Sequence, residues 1–192
     1  MNKLCVVGLD EVGRGCIVGP VVAAAVVLDS DQPITGLTDS KKLSDKKRRQ
    51  LAQVIRAKAR FWAIGRCEAS EIDRINIHQA SLLAMKRAFS GLGCVPDFAR
   101  VDGRFYPDLP CPGETIIQGD SSVAEISAAS ILAKVSRDDE MLILEQLYPD
   151  YGFAQHKGYP TRLHLQCLQQ NGVTALHRKS FGPVKKIVTS HC

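Results

Sequence analysis

A chain of 192 residues, 45% hydrophobic and carrying a formal net charge of +5, is sized for one domain that hides roughly 70% of its unfolded surface. Its longest apolar run, Val21 to Leu28, falls well short of the ~20 residues that cross a bilayer, and Met1-Asn2-Lys3 opens no signal-peptide pattern, so a cytoplasmic protein without membrane contact is expected. Repeats and low-complexity tracts are missing, and the seven cysteines (5, 16, 67, 94, 111, 167 and 192) are odd in number, form no C-x-x-C pair and read as reduced small hydrophobes.

In chain order, Leu4 to Leu9 and Val21 to Leu28 are short, β-branched runs bounded by glycine and proline, which predicts two strands joined by the loop Gly13 to Pro20 and paired antiparallel. Ser44 is a good N-cap for a helix with Leu51, Val54, Ile55 and Ala59 on one face. Phe61 to Glu68 then returns as a third strand. A second helix is expected from about Ile77, capped by Asn76, to Gly91 or Gly93. Phe98 to Val101 and Thr115 to Ile117 add two short strands. Val123 to Leu147 is helical in pattern, with Ala and Ser near its start that allow close packing on a sheet. The elements predict a mixed-sheet α/β domain of about five strands flanked by helices, with Pro149 to Pro160 and the C-terminal segment as an added flank.

Three of the five strands are followed by acids. Asp10 and Glu11 come after the first, Asp102 after the fourth and Asp120 after the fifth. An Asp-Glu pair is most often a solvated turn, and so is a Gly-Asp after a strand. Several carboxylates converging from separate strand ends can instead coordinate hard cations such as Mg²⁺ or Mn²⁺, which prefer oxygen ligands. Two such ions about 4 Å apart can clamp a phosphodiester without a histidine or serine nucleophile. Neighbouring strand residues face opposite sides, so Asp10 and Glu11 can share a site only if the strand bends or one acts through water.

Gly13-Arg14-Gly15 is not a dinucleotide loop: the next glycine, Gly19, is one position too far, and a strand follows where a helix is needed. It reads as a short turn that lets backbone groups approach a substrate, with Arg14 placed to pair with an acid or a phosphate. Lys41, Lys42, Lys46, Lys47, Arg48 and Arg49 cluster, as do Arg178, Lys179, Lys185 and Lys186; a nucleic acid partner and a merely solvated surface explain these charges equally well. Lys41 could meet a phosphate. His156-Lys157-Gly158-Tyr159 offers a phosphate contact and a ring able to stack on a sugar or base. His156, His164 and Cys167 do not fit a zinc spacing.

Taken together these segments resemble the ribonuclease HII family, the bacterial type 2 ribonucleases H, over essentially the whole chain. The resemblance rests on Gly8 to Gly15 (GLDEVGRG), Asp39 to Ser44 (DSKKLS), Val101-Asp102-Gly103, Gly119-Asp120, Ile126 to Asp138 (ISAASILAKVSRD), Tyr151 to Thr161 (YGFAQHKGYPT) and His177 to Val184 (HRKSFGPV), in the family's order. It implies a ribonuclease H-like fold forming a single unit, 1–192, with a core to about residue 148 and a helical flank beyond. It also implies an enzyme that nicks the RNA strand of RNA/DNA hybrids and duplex DNA holding embedded ribonucleotides, as a monomer using Mn²⁺ or Mg²⁺. Asp10, Glu11, Asp102 and Asp120 match the family's metal-binding acids. Gly13, Arg14 and Gly15 match the turn that senses the ribose 2′-hydroxyl, Tyr159 matches the tyrosine that packs on the adjoining sugar, and Lys41 matches a phosphate contact. Gln118, Arg104 and Cys16 depart from residues frequent in the family, which are lysine, asparagine and proline. A non-catalytic hybrid-binding protein, or a related resolvase or DNA nuclease, would share some of these features; the first would never cut, and the second would need no 2′-hydroxyl sensor.

Overall fold

The computed structural model describes residues 4–190, so Met1-Asn2-Lys3 and His191-Cys192 lie outside the described residues. The first strand, β1, spans Val6–Val12 and the second, β2, Val21–Val27. They pair antiparallel through six registered residues, from Val7↔Val27 to Val12↔Val22. Helix α1, Asp45–Lys58, starts at Ser44, whose hydroxyl accepts the Lys47 amide. Strand β3, Phe61–Cys67, adds antiparallel to the far side of β2. Strands β4, Phe98–Asp102, and β5, Gly113–Ile116, extend the other edge in parallel, giving the order β3-β2-β1-β4-β5.

β2 is buried at every position because helices cover both faces of the sheet. Val21, Ala23, Ala25 and Val27 pack with helix α2, Ala69–Ser90, in one core. Ala24 and Val26 face the opposite way, against α1 and helix α3, Ala124–Leu147. The small side chains of β2 and of α3 let this second layer sit close. Gly8 shows how close: a Cβ there would lie 2.1 Å from the Glu125 backbone. Asp10, two residues along the same face of β1, is thereby aimed at α3.

Two elements differ from the pattern expected. Glu68 and Glu71 form a capping box that starts α2 well before Ile77, and Asn76, at φ 65° and ψ 164°, kinks it. The Asn76 carboxamide oxygen accepts the amides of His78 and Gln79, so it does cap the second half. The first strand, in turn, begins and ends later than its apolar run. Asp10 and Glu11 lie inside β1, not after it, and Asp102 is the last residue of β4.

Beyond α3 the chain forms a 3₁₀ turn at Pro149–Tyr151 and three helices, α4 (Phe153–His156), α5 (Arg162–Asn171) and α6 (Gly182–Ser190). Tyr151, Phe153, Leu168 and Val184 build a third core with Met141 of α3 and with Ile17 and Val18 of the β1–β2 loop. A bridge between Val18 and His177 ties the two together. The flank therefore packs on the loop that carries Gly13-Arg14-Gly15. Among the described residues no helix is long and apolar enough to cross a membrane.

Candidate active site

The β1–β2 ladder runs without a bulge through Asp10↔Ala24 and Glu11↔Ala23, so the two acids leave opposite faces of a continuous strand. What brings them near a common space is the end of β4. β1 pairs with β4 only as far as Leu9↔Val101, and beyond that register the β1 edge is open. Asp102 stands at the rim of this gap, and its Oδ1 accepts the Gly119 amide at 2.8 Å. That bond fixes the 3₁₀ turn Gly119–Ser121, which carries Asp120. From below, the Ser127 hydroxyl of α3 donates to the Asp120 carbonyl at 2.6 Å.

Burial and mutual repulsion mark these acids. Asp10 is 5% exposed. Burial raises its carboxyl well above the usual range, and repulsion from Glu11 and Asp102 adds to this, against a hydrogen bond with Ser130. Glu11 is raised by burial and by Asp102, with Arg14, 3.2 Å away, acting in the opposite sense. Asp120 is raised by burial and by repulsion from Asp39 and Asp102, with Lys41 opposing. The acids thus form one electrostatic group, joined by Asp39.

All-oxygen donors such as Asp10, Glu11 and Asp120, whose carboxyls are raised by burial and neighbouring charge, are the chemistry that a divalent cation relieves. Among the described residues no three His, Cys, Asp or Glu side chains are gathered closely enough to hold a metal ion by themselves. An open set suits Mg²⁺-like ions, which keep several waters and take substrate phosphate oxygens as further ligands. Asp10, Glu11, Asp102 and Asp120 therefore fit the role as an unfinished coordination shell.

A cleft of about 310 Å³ opens over Asp10 and Glu11 and is lined by Ser40, Lys41, Ser130, Lys134 and Tyr159. Lys41 sits in the 3₁₀ turn Ser40–Lys42, where Asp39 accepts its backbone amide at 2.9 Å. The Ser40 and Ser130 hydroxyls are 3.0 Å apart and join this turn to α3. Two of the six residues of the first basic cluster are structural. Arg48 is buried, donating to the Ser40 and Leu43 carbonyls, and Arg49 pairs with Asp45 and Asp139. His156 is not a phosphate contact, since its buried ring lies against the Tyr151 carbonyl and accepts the Gly158 amide.

The glycine loop is held from behind. Gly13 has φ +91°, and a Cβ there would lie 2.3 Å from Arg137 Nε. Arg137 donates to the carbonyls of Pro20, Lys157 and Val18, while Arg178 donates to those of Gly19 and Arg14. Gly15 adjoins Tyr159, with a Cβ position 3.8 Å from the ring. Cys16 is buried, and its thiol donates to the Lys157 carbonyl at 3.6 Å. Gln118 heads the Asp120 turn in the left-handed region, at φ 57°. Asp39, Ser130, Arg137 and Arg178 stand beside the candidate residues without being singled out by the sequence pattern. The signal for the arginine of α3 was present: a long cation at a position where the helix pattern demands an apolar residue.

A sheet ordered β3-β2-β1-β4-β5 with acids on β1, at the end of β4 and just after β5 defines a nuclease of the ribonuclease H-like class. The solved structure of ribonuclease H2 from Pyrococcus horikoshii OT3 has this fold, with a TM-score of 0.82 and 25% identity over 97% of this chain and 98% of that one. Bst-RNase HIII in complex with Mn²⁺ is similar in fold at 20% identity, with a TM-score of 0.78 over 97% of this chain and 70% of that one. The family model for ribonuclease HII matches residues 7–184, and the chain belongs to that family. It is 57% identical over 181 residues to ribonuclease HII of Aliivibrio fischeri (strain MJ11), covering 94% of this chain and 87% of the relative. The chain is accordingly a ribonuclease H, a hydrolase that cuts the RNA strand of RNA/DNA hybrids with a divalent metal.

Proposed function

We propose that Asp10, Glu11, Asp102 and Asp120 carry hydrolysis in this chain, and that Gly13, Arg14, Gly15 and Tyr159 direct it to ribonucleotides, including single ones embedded in duplex DNA. The observation that carries this reading is that Asp10 and Glu11, raised by burial and repelled by Asp102, line the same cleft as Lys41 and Tyr159. A pair of Mn²⁺ or Mg²⁺ ions, when bound, activates water and stabilises the leaving oxygen. The protein acts as a monomer in the cytoplasm, in a single unit of residues 1–192 with a core to about residue 148.

Asp10, Glu11, Asp102 and Asp120 would hold the ions. The Ser130 hydroxyl orients the Asp10 carboxylate. Lys41, next to Asp120, meets a phosphate of the bound strand and fixes its register. Close backbone approach at Gly13-Arg14-Gly15 probes the 2′-hydroxyl, the group that separates RNA from DNA, and the Tyr159 ring packs on the adjoining sugar. Hydrolysis leaves 5′-phosphate and 3′-hydroxyl ends.

Purified protein with Mn²⁺ or Mg²⁺ is expected to nick a labelled DNA duplex carrying one ribonucleotide, and to leave an all-DNA duplex intact. Asp10→Asn and Asp102→Asn should each abolish the nick. Cleavage that survives both changes, or equal cleavage of the all-DNA duplex, would overturn the reading.

A further inference from the structure

Arg137 and Arg178 are both 0% exposed, and among the described residues neither forms an ion pair. Burying unpaired cations is costly, and a well-packed apolar side chain would serve a core better. Their partners are instead the carbonyls of one loop and of its neighbour Lys157, as described above. Arg178 also lies over the Phe181 ring, 5.2 Å from its centre, and its Nη2 has no hydrogen-bond partner. Three backbone and side-chain bonds to Asp73 fix Lys179 and Ser180, so the main chain just after Arg178 is fixed as well.

We propose that Arg178, which holds the Arg14 carbonyl, and Arg137, which packs behind Gly13 and holds the Val18, Pro20 and Lys157 carbonyls around the turn, are positioning residues that keep the Arg14 and Gly15 amides outward and thereby set the preference for a single ribose in a DNA duplex, an inference that rests on reading this loop as the ribose sensor. A trans peptide points its C=O and N–H in opposite directions. Arg178 draws the Arg14 carbonyl inward at 3.1 Å, so the Gly15 N–H, in the same peptide plane, points away from the buried side. The Gly13 carbonyl is engaged by the Cys16 amide at 3.3 Å, which directs the Arg14 N–H likewise. Neither N–H has a protein acceptor among the described residues. Gly13 is needed for more than its positive φ, because any side chain there would displace Arg137. Lysine cannot replace either clamp, since one ammonium does not span two or three separated carbonyls as a guanidinium fork does.

A duplex with one ribonucleotide offers the loop a single register, whereas a uniform RNA/DNA hybrid offers ribose at every position. Loosening the clamp should therefore slow the first substrate more than the second. Single-turnover rates on both substrates are measured for the wild type, Arg137→Lys, Arg178→Lys and Gly15→Ala, with folding followed by circular dichroism. Each lysine variant is expected to lower the ratio of the two rates by about tenfold or more, the scale of a small misplacement at a reacting centre. Rates that fall together, in step with the folded fraction, would mean that the arginines only stabilise the fold and would overturn the proposal. Gly15→Ala separates the two readings: if it leaves both rates unchanged, the loop is not the sensor; if it lowers the ratio and the lysine variants do not, the clamp alone fails. Backbone order parameters of the free wild-type protein give a test that needs no variant. Arg14 and Gly15 amides as rigid as the sheet, about 0.85, are expected, and values below about 0.6 would overturn the clamp.

Discussion

The strand-end acids and the glycine loop lie side by side and solve opposite problems. At the acids, like charges are gathered under partial burial and left without a protein cation strong enough to neutralise them. At the loop, two cations are buried, and five of their six guanidinium nitrogens donate to carbonyls. The first region is left unfinished, and the second is completed by the protein. Hydrolysis needs partners that arrive and leave with the substrate, whereas discrimination between two sugars needs a surface that is set beforehand.

That contrast is broken most severely at the acids. Asp10→Asn should lower the cleavage rate on the order of 10²–10³-fold or more, the scale of removing one preorganised electrostatic group, as read from single-turnover cleavage. Next in size, saturating Mn²⁺ should raise the melting temperature of the wild type, since a ligand at 100 times its Kd adds about 2.7 kcal/mol. Asp102→Asn should lose most of that shift, and an undiminished shift would place the cation elsewhere. At the loop, Gly13→Ala should cost about 1–3 kcal/mol by overpacking against Arg137, measured by chemical denaturation, with the Mn²⁺-induced shift retained.

Smaller effects sharpen the comparison. Behind Tyr159, His164 and His177 are held neutral, with burial pushing each down to about 4. A histidine with a depressed folded value stabilises the protein fully above its unfolded value near 6.5. Stability should therefore fall as pH drops from about 6.5 toward 4, and the slope should be about halved in His177→Gln. Smallest of all, Lys41→Ala should reduce the salt dependence of substrate binding by about one phosphate contact.

The parts of this architecture most legible in the sequence were those with local causes. Ser44 caps α1 because a hydroxyl before a helix has one good use, and β2 announces itself by an unbroken apolar run. The first turns of α2 were not seen because the capping box there is made by two glutamates, and Asn76 looked like a beginning when it is a kink. The sequence groups the acids but places them after β1, because charge disfavours a strand interior; the early end of the β1–β4 pairing, a non-local feature, is what makes charge tolerable inside it. Basic clusters were the least legible. Arg48 and Arg178 are buried beside exposed lysines of the same runs, and charge counting cannot separate a guanidinium spent on carbonyls from an ammonium left in water.

Helix α3 touches each part of the site in turn: Ser127 under the Asp120 turn, Ser130 at Asp10, Arg137 behind the glycine loop and Met141 in the flank. These positions recur at intervals of three, seven and four, so they run along one side of the helix. The helix is thus a ruler, with about 10 Å of rise between Ser130, beside the proposed cutting acid Asp10, and Arg137, behind the proposed sugar probe. A ruler of this kind is graduated in whole residues. Inserting one between Ser130 and Arg137 would swing the far mark about 100° around the axis, so the offset between the feature detected and the bond broken cannot drift gradually. It can change only by jumps of a turn or more.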